Sequence, residues 1–295
     1  MTAPQVGLSL MLEPDFVAAA LPLLQAGRVD VLEWSFDIGW SQAAMPEWAD
    51  ELLDHFASQD RLLGHGVKYS LLSADESPAR DAWLERLSAE CRRRHYRHVS
   101  EHFGFMAAGR FHEGAPLPVP LTEFTVRLGR ERLQRLADAA RCPVGLENLA
   151  FAFGPRDVQD QGRFLDELLT PLDGFLLLDL HNIDCQCCNF DVSGAELLAT
   201  YPLHRVREIH VSGGSWSSVK VPSPKQLIRR DTHDAAVPRE VFDLVRWAIP
   251  RCPNLEAVIL EQLGGTLLEA NAAEQFRTDF QTLRQVVSEV SNDRV

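Results

Sequence analysis

The sequence predicts an α/β fold, a single (β/α)8 TIM-type barrel that spans residues 1–295. Short apolar runs alternate with amphipathic stretches along the whole chain. Several runs, such as Phe175–Leu178, are continuously apolar, as expected for parallel strands that are buried on both faces. Eight such runs, each followed by a helical pattern, favour a closed barrel over an open doubly wound sheet.

The elements follow from this alternation in chain order. The strands are expected at Val6–Met11, Val29–Phe36, Leu62–Tyr69, Tyr96–His102, Val144–Leu149, Phe175–Leu180, Val206–Val211 and Ala257–Glu261. The helices are expected at Asp15–Gln25, Glu47–Ala57, Ala79–His95, Thr125–Ala140, Asp157–Leu169, Ala195–Tyr201, Pro238–Ile249 and Leu267–Val290. The connection after the seventh strand, about residues 212–237, is long for a compact domain, and loops of that length are usually functional.

Composition and charge narrow the class of protein. The net charge of −13 disfavours a nucleic-acid partner, because such binding relies on Lys and Arg neutralising phosphates. Apolar runs of ~20 residues, which would span a membrane, are missing from the sequence, and the amino terminus does not look like a signal peptide. We therefore expect a cytoplasmic protein with no membrane partner, in which the six cysteines are reduced.

The carboxyl ends of the predicted strands carry side chains that bind metals. The active site of such a barrel is built there. The relevant residues after successive strands are Glu33, His65, His102, Glu147 with Asn148, Asp179 with His181, His210 and Glu261, and the loop after the seventh strand adds Asp231 and His233. Carboxylates that follow buried runs need a partner or a metal. A metal centre is therefore predicted at this end of the barrel.

The predicted ligand set is large and mixed. Its first-choice members are His65, His102, Glu147, Asp179, His210, Asp231, His233 and Glu261. Imidazole together with carboxylate suits iron, manganese or zinc. One ion takes about four to six ligands, so two or three ions are expected. Glu147, on a strand central to the set, is the expected bridge between them.

The cluster Cys185, Cys187 and Cys188 follows the sixth strand by a few residues. A zinc or iron–sulfur site generally needs four thiolates in spaced pairs. A packed cluster is therefore favoured, and a role as a ligand or as a thiol partner of the substrate stays open.

Taken together, these segments resemble the multinuclear non-haem iron-dependent oxidative enzymes, a family that includes the methanobactin oxazolone–thioamide synthase and the 3-thiaglutamate pathway enzyme. The resemblance runs from Val6 to Glu261. Its segments are Gly64–Val67, Ser100–His102, Glu147-Asn148, Leu178-Asp179 with Asn182, Glu208–His210, Asp231–Asp234 and Leu260-Glu261. Each segment is short, and their order on successive strands makes the set specific.

The resemblance implies two or three iron ions of mixed ferrous and ferric state and dioxygen as co-substrate. It implies oxidation of a ribosomally made precursor peptide, at cysteine or a C-terminal residue, with a leader-binding partner protein. The implied metal ligands are the eight first-choice residues, with Asn148 and His181 as further candidates. Glu147, Asp179 and His210 would form the catalytic core. The loop at 212–237 would act as a lid, with Trp216 as a peptide contact.

The chain departs from the family pattern at three places. After the strand-seven histidine it has Val211–Gly214, where the family usually has Ala-Gly-His, and it has Ala235-Ala236 where His-Pro is usual. After strand six it has His181-Asn182 followed by the cysteine cluster, where Asn-Asn and a loop ending in Asn-His-Gly are common. The ligand set survives these changes. The identity of the substrate stays open, because the altered positions are expected to line the barrel mouth.

Other functions remain possible from the residues alone. A divalent-metal-dependent sugar isomerase or epimerase of the xylose-isomerase type places similar ligands at strand ends and adds a lysine, for which Lys68 is the candidate. A requirement for dioxygen separates this function from the first. A trinuclear phosphodiesterase is disfavoured by the acidic charge, and a non-catalytic interaction protein by the intact ligand set.

Overall fold

Eight parallel strands close into a barrel with helices between them in the computed structural model, which describes residues 3–41, 44–74, 76–108, 111–218, 225 and 227–292. This confirms the predicted (β/α)8 TIM barrel. In chain order the strands are β1 (Gln5–Leu10), β2 (Val31–Ser35), β3 (Leu62–Gly66), β4 (Val99–His102), β5 (Phe105–Ala108), β6 (Phe111–Leu117), β7 (Val144–Glu147), β8 (Phe175–Asp179), β9 (Val206–Val211), β10 (Trp216–Ser218), β11 (Leu227–Arg229) and β12 (Ala257–Leu260). The barrel order is β1-β12-β9-β8-β7-β4-β3-β2.

The helices lie largely where the apolar periodicity predicts them. They are α1 (Pro14–Gln25), α2 (Phe36–Gly39), α3 (Glu47–Ser58), α4 (Pro78–Arg93), α5 (Glu123–Ala140), α6 (Pro155–Leu169), α7 (Leu180–Phe190), α8 (Gly194–Leu198), α9 (Arg239–Ala248) and α10 (Ala270–Asn292). Among the described residues, none of these helices is long and apolar enough to cross a membrane.

Four features lie outside the predicted alternation, and the first is the short helix α2, which begins at Phe36 directly after β2. The antiparallel hairpins β5–β6 and β10–β11 extend the connections after β4 and β9. Helix α7 begins directly after β8 and contains all three clustered cysteines. The β10–β11 hairpin occupies part of the predicted lid, and residues 219–224 and 226 of that lid lie outside the described residues.

Contacts within the chain divide it into two compact units. The terminal unit comprises Met1–Val31 and Leu178–Val295, and the central unit comprises Leu32–Leu177. The organisation of the whole chain as one domain stays a prediction.

Within the central unit, ion pairs and caps fix the helices that surround the strands. Helix α5 begins with a capping box in which the Thr122 and Thr125 side chains each accept from the other's backbone N–H, which satisfies two amides that the helix leaves unpaired. The buried Arg94 guanidinium pairs with Asp50 and Asp54 of α3 at 2.5 and 2.7 Å. This contact joins α3 to the end of α4.

Within the terminal unit, side chains fasten the loops next to β9 and β12. The Asn189 amide donates to the Arg229 carbonyl at 2.9 Å and accepts from the Arg229 amide at 2.8 Å, which attaches β11 to α7. Asp15 of α1 accepts from the amides of Gly265 and Leu267 at 3.0 and 2.9 Å. Helix α7 follows β8, which ends at the predicted ligand Asp179. Gly265 and Leu267 follow the predicted ligand Glu261 after β12.

Candidate metal centre

In the central unit, two imidazoles converge on one carboxylate oxygen. Nε2 of His65 lies 3.4 Å from Glu147 Oε2, and Nε2 of His102 lies 3.2 Å from the same oxygen. One ligand atom from each of the three residues lies within 4.8 Å of the others. His65 and Glu147 are buried, and His102 is partly exposed. The structure therefore brings three of the predicted ligands together.

The strand register produces this convergence. His102 is the direct partner of Glu147 across the parallel β4–β7 pair, and His65 is the partner of Ser100 across β3–β4. Side chains at paired positions of parallel strands lie on the same face, and residues two apart on a strand share that face. His65, Ser100, His102 and Glu147 therefore share one face near the carboxyl ends of three neighbouring strands.

The second ring nitrogen of His65 is held by a hydroxyl. Nδ1 of His65 lies 2.8 Å from Ser100 Oγ, and that hydroxyl donates to the Gly64 carbonyl at 3.3 Å. Since the serine proton is committed to Gly64, the hydroxyl oxygen accepts from Nδ1–H of His65. In the neutral imidazole, Nε2 then directs its lone pair toward Glu147. A nitrogen lone pair that faces a carboxylate oxygen is an arrangement in which both atoms could bind the same cation.

Glu101 organises the backbone beside this group. Its carboxylate accepts from the His102 amide at 2.9 Å and from the Tyr69 amide at 3.2 Å. Burial is the main cause that raises the pKa of Glu101, and the nearby Asp37 adds to the increase. Glu101 thus orders the chain around His102, a role distinct from the predicted ligands.

Asp37 does the same for the loop after His65. Its Oδ2 atom accepts from the Val67 amide at 3.0 Å, the Lys68 amide at 2.6 Å and Trp83 Nε1 at 3.0 Å. Three donors on one buried oxygen fix the loop that leaves β3. The Lys68 ammonium donates to Ser41 Oγ at 2.8 Å on the exposed surface.

In the terminal unit, a second group combines Asp179, His233 and Glu261. One ligand atom from each lies within 4.8 Å of the others. Nε2 of His233 lies 2.7 Å from Asp231 Oδ1 and 3.7 Å from Glu261 Oε2. Nε2 of His233 thus faces two carboxylates. This arrangement is expected when the proton on Nε2 takes the place of a metal cation.

Asp231 and His233 are strongly coupled. Burial alone would raise the pKa of Asp231, but attraction to His233 and hydrogen bonds from His181 and His233 hold it well below its usual range. Burial likewise opposes charge on His233, yet Asp231 and Glu261 raise the pKa of His233 well above its ordinary value. The pair is therefore ionised, as carboxylate and imidazolium, at neutral pH.

His210, in the same unit, has a carboxylate on each side of its ring. Its Nδ1 lies 3.0 Å from Glu261 Oε2, and its Nε2 lies 3.7 Å from Glu208 Oε1. His210 is paired with Ile259 in the β9–β12 register, and the Glu261 amide donates to the Val211 carbonyl at 3.0 Å. The continued register places Glu261 beside the end of β9.

Asn148 and His181, the two further candidates, are placed differently. Asn148 is fully buried directly after Glu147. His181 is also fully buried, and its Nδ1 atom lies 3.0 Å from Asp231 Oδ1. Among the described residues, His181 belongs to none of the groups of three histidine and carboxylate ligand atoms. Their role as ligands stays a prediction.

The cysteine cluster lies along α7. All of its thiols are free, and burial is the main cause that raises the pKa of each, to about 12 for Cys187. The Cys188 carbonyl accepts from Lys225, whose ammonium also contacts Asp191. Raised thiol pKa values disfavour thiolate chemistry. These contacts support the packed interpretation of the cluster.

The donor chemistry of both groups fits a divalent transition metal. Each combines imidazole nitrogen with carboxylate oxygen, the set that suits iron, manganese or zinc. In the central unit the other nitrogen of His65 is held by the protein, as is typical of histidines that bind metals. Each unit therefore contains its own group of residues that could hold a metal ion.

Ser100, Asp37 and Glu101 were not in the predicted ligand set, although all three order the site. Ser100 alternates with His102 on β4, and this two-residue spacing is a signal that the sequence contains. The contacts of Asp37 depend on the path of the loop after β3, which no local pattern encodes. Sequence reasoning could therefore have found Ser100 but not Asp37.

The fold and these donor groups define a class: barrels whose strand ends present imidazole and carboxylate groups suited to metal ions. Residues 29–270 match the model of the RiPP precursor modification enzymes MbnB/TglH/ChrH. This match covers most of the chain, which therefore belongs to the MbnB/TglH/ChrH family. The family resemblance predicted from the strand-end motifs is confirmed.

Individual relatives and structures agree with this assignment. A UPF0276 protein of Caulobacter vibrioides (strain NA1000 / CB15N) is 28% identical over 261 residues, which cover 87% of each chain. Among solved structures, an IolI protein with a bound zinc atom superposes with a TM-score of 0.61 at 12% identity, covering 97% of this chain and 99% of that one. D-psicose 3-epimerase with D-tagatose from Clostridium cellulolyticum H10 gives 0.60 at 12% identity, covering 96% and 99%. At such identities the structures support the fold alone.

Proposed function

We propose that this protein is an iron- and dioxygen-dependent enzyme that oxidatively modifies a ribosomally synthesised precursor peptide, at cysteine or at a C-terminal residue. The observation that carries the proposal is the pair of imidazole–carboxylate groups, one in each unit, in a chain of a RiPP-modifying family. Two such groups supply places for more than one ion, as multinuclear oxidative chemistry requires.

The proposed ligands divide between the units. In the central unit, His65, His102 and Glu147 would hold one ion. In the terminal unit, the proposed ligands are Asp179, His210, Asp231, His233 and Glu261. Iron bound at these positions would supply dioxygen activation and the transfer of electrons. That Glu147 bridges two ions stays a prediction.

The chain's own residues would prepare the site before any oxidation. Ser100 holds the His65 ring with its Nε2 atom toward Glu147. His233 would release its proton on binding an ion together with Asp231 and Glu261, since metal ligands must be deprotonated. In a four-electron oxidation the peptide would lose four electrons and four protons, and dioxygen would be reduced to two waters.

The proposed peptide contact is the β10–β11 hairpin. Trp216 and Leu227 are each about half exposed on it, and the Arg229 guanidinium lies 5.6 Å from the centroid of the Trp216 ring. Exposed aromatic and apolar side chains next to a site are suited to binding a peptide. A separate protein that binds the leader segment is proposed from the family resemblance.

The xylose-isomerase-type alternative has support from the fold alone. Its candidate lysine, Lys68, has an exposed ammonium that contacts Ser41. Within the part of the chain that the structure describes, no contact of Lys68 favours sugar chemistry, so we do not propose this function.

The function is tested by loading the anaerobically purified protein with iron and adding a short candidate peptide encoded beside its gene. Mass spectrometry and an oxygen electrode would measure the product and dioxygen consumption. We expect a peptide that has lost hydrogen, formed only with both iron and dioxygen, and no product with His65→Ala. An unchanged peptide in the presence of the leader-binding partner, or equal product without dioxygen, would contradict the proposal.

A further inference from the structure

The His181 side chain connects a predicted ligand to the cysteine cluster inside the terminal unit. Its Nδ1 atom lies 3.0 Å from Asp231 Oδ1, and its Nε2 atom lies 4.0 Å from Cys185 Sγ. Both ring nitrogens thus face protein groups. His181 and Cys185 are fully buried and stand one helical turn apart on α7.

The direction of the hydrogen bonds follows from the partners. The Asp231 carboxylate can only accept, so Nδ1–H of His181 donates to it. In the neutral ring Nε2 is then the acceptor, and the Cys185 thiol is the group positioned to donate to it. The chain of contacts runs from Cys185 through His181 to Asp231.

The His181 ring lies against the backbone of the connection between β9 and β10. A Cβ atom added to Gly214 would lie 2.7 Å from Cε1 of His181, so the ring packs directly against that glycine. The Arg229 guanidinium also donates to the Gly214 carbonyl, which fixes the glycine in turn.

We propose that His181 is a positioning residue for Asp231 and not itself a metal ligand. Held by Cys185 and Gly214, it fixes the carboxylate that faces His233 Nε2 at 2.7 Å. Metal-binding carboxylates are commonly oriented by such hydrogen bonds, and removing one weakens metal affinity ~10–100-fold. This inference rests on the proposed metal centre in the terminal unit.

The test measures binding of Co²⁺ alone to the metal-free protein and the visible spectrum of the bound ion. His181→Leu has a side chain of similar size without a donor, and we expect it to bind Co²⁺ at the terminal-unit site ~10–100-fold more weakly. His181→Asn places an amide N–H near the position of Nδ1, and we expect nearly native affinity with an unchanged spectrum. His204→Leu, an exposed histidine of the same unit, is the control.

The outcomes separate the possibilities. Native affinity in His181→Leu would overturn the inference, as would a His181→Asn spectrum that shows the loss of an imidazole ligand. If His181→Leu fails to fold, as judged by its melting temperature without metal, the spectrum of His181→Asn decides. Failure of the wild-type protein to bind Co²⁺ would instead overturn the proposed function.

Discussion

Histidines in both units occur in a repeated arrangement in which a ring nitrogen faces a carboxylate. His65 and His102 both face Glu147 through Nε2. His233 faces Asp231 and Glu261 through a single nitrogen. For His65 the remaining nitrogen is held by Ser100, which restricts the ring to one orientation. Such preorganisation reduces the entropy that metal binding would otherwise cost.

Replacing Ser100 by alanine tests this arrangement at a single atom. The hydroxyl that accepts from His65 Nδ1 is lost, so we expect ~10-fold weaker metal binding at the central-unit site. Competition titration with a chromophoric chelator measures the change, with Ser58→Ala, an exposed serine of α3, as control. Equal affinity in Ser100→Ala and wild type would show that the hydroxyl does not orient the ring.

Most of the proposed ligands were selected from the sequence because they follow apolar runs at strand ends, whereas Asp231 and His233 lie in the connection after β9. The roles of the ligands' partners could not be predicted, since His181 and Asp231 are 50 positions apart and meet only through the fold. Asp179 shows what sequence alone does not predict for a single residue. Its Oδ1 atom accepts from the Asn182 amide at 2.5 Å and caps α7, whereas the sequence indicates only a ligand.

Barrel strands were predicted more accurately than the elements in the loops. Continuous apolar runs identify β8 and β12, because strands buried on both faces of a parallel sheet are usually rich in apolar residues. Strand β6 contains Gly114 and Pro116, which are depleted in strands, so its hairpin was missed. Helix α7 was missed because its Asn and Cys residues show no clear apolar periodicity.

The ion pair between Asp50 of α3 and Arg94 at the end of α4 predicts how the stability of the protein depends on pH. Burial opposes ionisation of Asp50, but hydrogen bonds from Arg93 and Arg94 lower its pKa below the ordinary value of 3.8. A lowered pKa in the folded state stabilises the protein above the unfolded pKa, and this contribution is lost as the pH falls through the folded value. Asp50→Asn should therefore lower the free energy of unfolding by about 1 kcal/mol at pH 7.

The difference should disappear once the pH lies below the folded pKa of Asp50. Urea unfolding of wild type and Asp50→Asn across the acidic range measures it, with Asp138→Asn, an exposed carboxylate on α5, as the matched control. A difference that stays constant with pH would show that the Asp50–Arg94 contact is not electrostatic.

At the scale of the whole molecule, the sequence predicted the barrel and the family, and both are confirmed. The barrel follows from eight alternations of strand and helix, which few other folds accommodate. The substrate does not follow, because it depends on loops such as 212–237, where this chain departs from the family pattern. Loops tolerate sequence change far better than the strands they connect.

Metal binding should stabilise the whole chain. Ions that bind the folded protein and not the unfolded chain raise stability by about 2.7 kcal/mol when present at 100 times their dissociation constant. We expect the melting temperature to fall by several degrees after removal of metal with a chelator and to recover when Fe²⁺ is added back under anaerobic conditions. Identical melting with and without metal would argue against ions in the donor groups.

The most direct test of the multinuclear centre is the number of irons bound per chain. The protein is purified anaerobically with iron, and elemental analysis and Mössbauer spectroscopy measure stoichiometry and oxidation states. We predict at least two irons per wild-type chain and a clear loss of iron in Glu147→Ala, because that carboxylate is the common partner of His65 and His102. Fewer than two irons in the wild type, or equal occupancy in Glu147→Ala, would contradict this account.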